Sequence, residues 1–410
     1  YFEAVHSPAV SSLNVSTPAF FPAMVEAILN TPLETLRAYL RYHVLTAYAS
    51  NLPKAFDEEN FHFSGTVLSG QPQQRPRWKR CSAAVDGELG EALGQVYVQQ
   101  YFGGDEKAKT LEVVQDIEAA MDRDIDTLTW MSTETKVKAK AKLRMITDKI
   151  GYPDHWRDYS ALPISPVDAA GNQRRATAFE NDRDLNKIGK AVDKLEWGMT
   201  PPTVNAYYDP TQNNINFPAG ILQPVFYDPK ADLAVNYGHI GGVVGHELTH
   251  GFDDEGAQFD GEGNLKDWFT PEDKKNFQAR TSCLAGQYDQ YVAVDDVHVN
   301  GKLTLGENTA DNGGLLLAYM AYLQRAKQQG VDPQAKTDGY TGTQRFYIAW
   351  AQNWCDNTRP ESLRQSALTN PHSPSRFRAN GPVVNQPDFG KAFGCKPGAP
   401  MTPIQNCRVW

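Results

Sequence analysis

Apolar residues recur at helical spacing through the first third of the chain. Leu33, Leu36, Leu40, Val44 and Ala47 fall on one helical face. Ahead of them, Thr31-Pro32-Leu33-Glu34 offers an N-cap, a proline at the first helical position and a capping-box glutamate. Leu111, Val114, Ile117, Met121, Ile125 and Leu128 make a second stripe. Between Lys136 and Lys142, lysine takes every second position beside Val137, Leu143 and Ile146, the pattern of a solvated helix face rather than an anion site. After about residue 148 the texture changes. Gly151-Tyr152-Pro153-Asp154 and the stretch 163–172 predict loops and short strands. Residues 205–208 and 214–218 read as two extended segments around a turn at Asp209-Pro210. Helices are predicted near 236–252 and 306–328, followed by a loop-rich tail. The expected organisation is a helical region and then a mixed α/β region, with the boundary near 135–150.

Composition narrows the function classes. The 410 residues are 40% hydrophobic and 22% charged, with a mean hydropathy of -0.53 and no eighteen-residue apolar run, so no membrane span is expected in this chain. A formal net charge of -9 argues against a nucleic-acid partner. The chain opens at Tyr1-Phe2-Glu3, so any targeting segment is expected outside it. Five cysteines, Cys81, Cys283, Cys355, Cys395 and Cys407, lack CxxC spacing. Five buried thiols in a reducing compartment would fit; so would a disulfide protein whose remaining partners lie on another segment. Asn14-Val15-Ser16 is a glycosylation sequon, meaningful only in a eukaryotic secretory setting.

The chemistry concentrates at His246-Glu247-Leu248-Thr249-His250, an HExxH sequence. On a helix, residues four apart share a face, so both imidazoles can reach one metal ion, and Glu247 can reach a water on that ion without being a ligand. The preceding run Ile240-Gly241-Gly242-Val243-Val244-Gly245 is apolar, as a buried active-site helix requires. Zinc needs a third protein ligand and one open position. Downstream, Glu307 and Asp311 lie four apart at the start of a second predicted helix, before an apolar Leu315-Leu316-Leu317 run. Glu307 can ligate, and Asp311 can accept the N–H of a ligating imidazole.

The run Val243 to Asp254 around HExxH, together with Gly306-Glu307-Asn308-Thr309-Ala310-Asp311, resembles the neprilysin and endothelin-converting-enzyme family of zinc endopeptidases, of gluzincin type. Asn205-Ala206-Tyr207-Tyr208, the stretch 217–224, Pro76-Arg77-Trp78-Lys79-Arg80-Cys81 and the terminal Cys407-Arg408-Val409-Trp410 share the likeness. The resemblance implies a mainly α fold with a thermolysin-like α/β zinc catalytic domain at 141–410, preceded at 1–140 by the later part of a helical lid domain and a linker. It implies one Zn²⁺ per chain on His246, His250 and Glu307, with Glu247 as general base and Asp311 orienting a ligand histidine. By the same likeness Asn205 and Ala206 bind substrate backbone, His372 stabilises the oxyanion, and Arg378 holds a substrate carbonyl. Ile221, Phe226, Val243 and Trp354 are expected to line the pocket for the residue after the scissile bond. Gly242 replaces a larger apolar residue of neprilysin, which predicts a deeper or more permissive pocket.

The likeness also implies a Cys283–Cys407 disulfide, and bridges from Cys81, Cys355 and Cys395 to a segment upstream of this chain. An extracytoplasmic location follows. The expected function is a zinc endopeptidase that cleaves oligopeptides on the amino side of bulky hydrophobic residues. The alternative is a truncated fragment that binds zinc and peptide but is inactive without its N-terminal segment.

Overall fold

The computed structural model describes Val5 and residues 7–410. In chain order its helices are α1 (Phe20–Asn30), α2 (Leu33–Tyr48), α3 (Lys54–Phe61), α4 (Arg77–Tyr101), α5 (Glu106–Thr127), α6 (Thr133–Leu143), α7 (Ala169–Leu185), α8 (Leu233–Asn236), α9 (Gly242–His250), α10 (Pro271–Asp289), α11 (Leu305–Gln329), α12 (Gly342–Gln352), α13 (Pro360–Thr369), α14 (Ser375–Val383) and α15 (Phe389–Phe393). A small sheet joins β1 (Thr147–Gly151), β2 (Tyr207–Asp209) and β3 (Asn214–Pro218) in the order β1-β3-β2. β1 pairs parallel with β3, Thr147 opposite Asn214, and β2 pairs antiparallel with β3, Tyr207 opposite Asn216. The fold is mainly helical.

Two compact units divide the chain. One holds residues 1–90 and 157–193, the other 91–156 and 194–410, so the expected cut at 140/141 falls inside the second unit. In the first unit, α2 forms where the Leu33 stripe predicts it, but without the capping box. Pro32 occupies the cap position, and the Thr31 hydroxyl instead donates back to the Ala27 carbonyl at 2.6 Å. α7 was hidden because its start overlaps the stretch 163–172, where Pro163, Pro166, Asp168, Gly171 and Asn172 read as loop. Asp168 caps it by accepting from Gly171 N.

In the second unit the Val114, Ile117, Met121 and Ile125 stripe of α5 is buried in the core. Asp273 ties two helix starts together: it accepts from the Ser132 and Thr135 hydroxyls at the head of α6 and from Thr270 at the head of α10. Lys138 and Lys140 of α6 ion-pair with Glu134, Asp122 and Asp126, as a solvated face should, but Lys142 is buried. The tail after 328 carries long loops, as expected, but also supplies α12 to α15 between them. The Cys283–Cys407 disulfide, with Cα atoms 5.5 Å apart, joins α10 to the last residues, where Trp410 packs on Trp130, Phe252 and Phe277. Cys81, Cys355 and Cys395 are free thiols.

Candidate active site

A π-helical turn, Tyr237–Gly241, runs straight into α9, which carries the HExxH residues. α11 lies against it at unusually short range because glycines face each other. A Cβ on Gly245 would sit 2.4 Å from the Gly314 carbonyl oxygen, and one on Gly314 would sit 2.3 Å from His246 N. This close approach brings Glu307 and Asp311 of α11 to the imidazoles of α9.

His246 Nε2 lies 3.0 Å from His250 Nε2 and 3.3 Å from Glu307 Oε2, while His250 Nε2 lies 3.7 Å from Glu307 Oε1. Ligand atoms on tetrahedral zinc, with bonds of about 2.0–2.1 Å, are about 3.3 Å apart. The outer nitrogens are both engaged: His246 Nδ1 meets Asp311 Oδ1 at 2.8 Å, and His250 Nδ1 meets Asp253 Oδ2 at 2.6 Å. Carboxylates at Nδ1 hold the protons there and turn both Nε2 lone pairs to one point, as ligating histidines require. Glu307 Oε2 is buried at that point without an aligned hydrogen-bond donor. Donor types, spacing and this orphaned oxygen fit a zinc ion. Glu247 also comes within 4.8 Å of both histidines, but Glu307 is the carboxylate that reaches both Nε2 atoms.

Charge balance in the protein groups alone follows the same geometry. Burial disfavours the His246 imidazolium, yet the bonds to Asp311 and Glu307 outweigh it and lift it to about 10. Burial likewise opposes the Glu307 carboxylate, but His246 and His372 hold it far below the usual range. Glu247 moves the other way: burial raises its carboxyl, against the pull of both histidines. A carboxyl lifted in this way is better suited to taking up a proton.

Arg378 comes from α14, not from a loop. Its Nε and Nη2 each donate to Asp311 at 2.8 Å, and its guanidinium lies 4.0 Å from the Trp354 ring centre. It therefore holds the carboxylate that holds His246. His372 sits between α13 and α14 with Nε2 3.1 Å from Glu307 Oε2. Asn370 Oδ1 accepts from both the His372 backbone N–H, at 2.8 Å, and Nδ1, at 3.0 Å, which fixes the ring.

One cavity of about 430 Å³ gathers the predicted residues. His246, Glu247, His250, Glu307, Asp311, His372 and Arg378 line it, as do Asn205, Ala206, Ile221, Phe226, Val243 and Trp354. The space beside Gly242 is not open, because a Cβ there would lie 2.7 Å from Trp350, whose ring fills it and lines the cavity. The expected deeper pocket is thus replaced by a tryptophan wall. Three residues escaped the sequence reading. They are Asp253, beyond the end of α9, Asn353, which also lines the cavity, and Asn370.

Family models described as Peptidase family M13 match residues 205–409 and 1–153. The chain is 39% identical over 393 residues to endothelin-converting enzyme 1 of Mus musculus, covering 93% of this chain and 51% of that protein. It is 38% identical to neprilysin-2 of Drosophila melanogaster, covering 97% and 54%. Among solved structures, the inhibitor complex of the Mycobacterium tuberculosis zinc metalloprotease Zmp1 superposes with a TM-score of 0.88 at 42% identity, covering 93% of this chain and 58% of that one. PepO of Lactobacillus rhamnosis gives 0.79 at 33%, covering 87% and 55%. This chain spans about half the length of the curated relatives it matches. With both halves of the chain matched and the HExxH and Glu307–Asp311 helices side by side, the chain belongs to peptidase family M13.

Proposed function

We propose that the chain carries the catalytic machinery of a zinc-dependent endopeptidase acting on oligopeptides. The observation that supports this is the convergence of His246, His250 and Glu307 on one point beside Glu247 in a single cavity. The three residues hold one zinc ion; when bound, it supplies Lewis acidity and lowers the pKa of a water to about 7. Glu247 accepts a proton from the attacking water and delivers it to the leaving amine. His372, with protons on both ring nitrogens, donates from Nε2 to the carbonyl oxygen as negative charge develops there, a contribution worth about 10²–10³ in rate. Asn205 and the Ala206 main chain align the peptide backbone. Arg378 serves Asp311 and, through the cavity face of its guanidinium, a substrate carbonyl. Ile221, Phe226, Val243 and Trp354, with the Trp350 wall, receive a bulky apolar side chain on the amino side of which cleavage occurs.

The test is zinc content together with hydrolysis of a quenched fluorescent peptide, comparing the chain with Glu247→Gln. One zinc per chain in both, with cleavage reduced about 10²–10⁴-fold in the variant, is expected. A folded chain that takes up no zinc ends this reading.

A second reading concerns partners. Helices α1 and α2 have no buried residue, and their apolar side chains include Phe21, Leu29, Leu33 and Leu40 in solvent. We infer that this face receives the remainder of a longer extracytoplasmic protein, and that Cys81, Cys355 and Cys395 each pair with a cysteine of that remainder. Full cleavage then needs that segment. Zinc uptake with cleavage that appears only on adding the upstream segment supports this reading, and full cleavage by the chain alone refutes it.

A further inference from the structure

The lysines of α6 differ from one another in a way the catalytic reading does not use. Lys142, 2% exposed, points inward and donates through Nζ to three main-chain carbonyls: Gly251 at 2.6 Å, Gly256 at 2.7 Å and Phe259 at 2.8 Å. The rings of Tyr208, Phe252 and Trp268 stand 5.4 to 5.9 Å away. Three ammonium protons meet three acceptors. Burial pulls this ammonium's pKa down to about 7, yet a neutral amine would turn a lone pair onto one of those carbonyls. Such a site is costly, and an apolar side chain of similar length would fill it without burying charge.

What the lysine gathers explains its place. Gly251 is the C-cap of α9, directly after His250, so the ammonium sits at the negative end of the metal-site helix and satisfies one of its orphan carbonyls. Gly251 and Gly256 bracket the turn that carries Asp253. Within that turn Asp253 Oδ1 accepts from Glu255 N at 2.9 Å and Gly256 N at 2.7 Å, while Oδ2 meets His250 Nδ1. The turn is tight: a Cβ on Gly256 would lie 1.8 Å from the His250 carbonyl oxygen. Lys142 therefore pulls both ends of the turn inward, and the turn in turn aims the Asp253 carboxylate at the imidazole.

We propose that Lys142 is a positioning residue for the metal centre, clamping the 251–259 segment so that Asp253 orients His250. The inference rests on the zinc site proposed above. Loss of an outer partner of a ligating histidine lowers metal affinity about 10–100-fold, so Lys142→Met should weaken zinc binding by about that factor. The readout is competition with a chelating zinc dye on chains whose far-ultraviolet dichroism matches the unsubstituted protein. Asp253→Asn should show a comparable loss, and the double variant should lose little more than either alone, because both act through one contact. Zinc affinity of Lys142→Met within twofold of the unsubstituted chain, or losses that simply add, would overturn the proposal. If Lys142→Met does not fold, the unsubstituted chain still decides. Stripped of zinc, its Glu255 and Gly256 amides should remain slow to exchange, since the clamp needs no metal; rapid exchange there overturns it. An unsubstituted chain that binds no zinc overturns both this and the underlying site.

Discussion

Helices α2 and α5 carry the same kind of apolar stripe and meet opposite fates. On α5, Val114, Ile117, Met121 and Ile125 are sealed in the core, whereas on α2 Leu33, Leu40 and Val44 remain 60%, 62% and 59% exposed. An amphipathic pattern reports that a face is suited to cover, not that cover is present. Around α5 the cover is in the chain itself, as α6, α9, α11 and β1 all pack on it. The proposed metal-site residues His246, Glu247 and Asp311 are buried in this same covered region, where exclusion of water strengthens the interactions of imidazole and carboxylate groups.

If close packing is what separates the two regions, the largest effect should come from the tightest contact. Gly314→Ala places a methyl group 2.3 Å from His246 N, against backbone that cannot rotate away. α11 must then move off α9, carrying Glu307 and Asp311 from the imidazoles. We expect destabilisation of about 1–3 kcal/mol or more, with zinc affinity falling by over about 100-fold, beyond the loss of one outer partner. Titration with the zinc dye alongside urea unfolding checks both. Unchanged zinc binding would mean that the glycine pair does not set the ligand spacing.

The stripes themselves come next. Ile117→Ala removes fully buried methyl groups and should cost about 2–5 kcal/mol. Leu40→Ala in the exposed stripe should change stability by less than about 0.5 kcal/mol. Urea unfolding of the two variants measures the contrast directly, and a large loss for Leu40→Ala would show that its face is covered in solution.

What could be read in advance follows from how local each feature is. His246, Glu247 and His250, and likewise Glu307 and Asp311, are related by one helical turn, so their shared faces were legible from spacing alone. The strand pair around Asp209-Pro210 was equally local. Asp253 was not, because it lies past the helix end and its aim depends on a turn tightened by Gly256 and by Lys142 from another helix. Lys142 itself was masked by Lys136, Lys138 and Lys140, whose alternation suggested solvent for all four. Gly242 misled in the opposite sense, since a missing side chain says nothing of a tryptophan 108 positions later that fills the space. α7 and α12 to α15 were lost among Gly, Pro and Asn, residues that mark turns locally but are tolerated at helix starts.

The last expected effect tests the buried side of the comparison by pH. Glu118 on α5 and Asp148 on β1 are acids at the edge of the well-covered region. Burial, together with the Asp148 charge, lifts Glu118 from an ordinary 4.5 to about 8, and burial lifts Asp148 from 3.8 to about 6. Both pKa values are higher in the folded chain than in the unfolded one. As pH rises above about 4.5, the unfolded chain releases protons that the fold retains, so stability falls until the folded groups ionise near 6 and 8. Glu118→Gln removes one proton from this balance and the repulsion with it. The thermal midpoint of the unsubstituted chain, measured with zinc chelated, should fall more steeply between pH 6 and 8 than that of the variant. By pH 8 the variant should be the more stable by a few degrees. The metal-site groups titrate alike in both chains, so the difference between the two curves isolates Glu118. Parallel curves across that window would show that Glu118 is solvated, and that the covered region stops short of the outer face of α5.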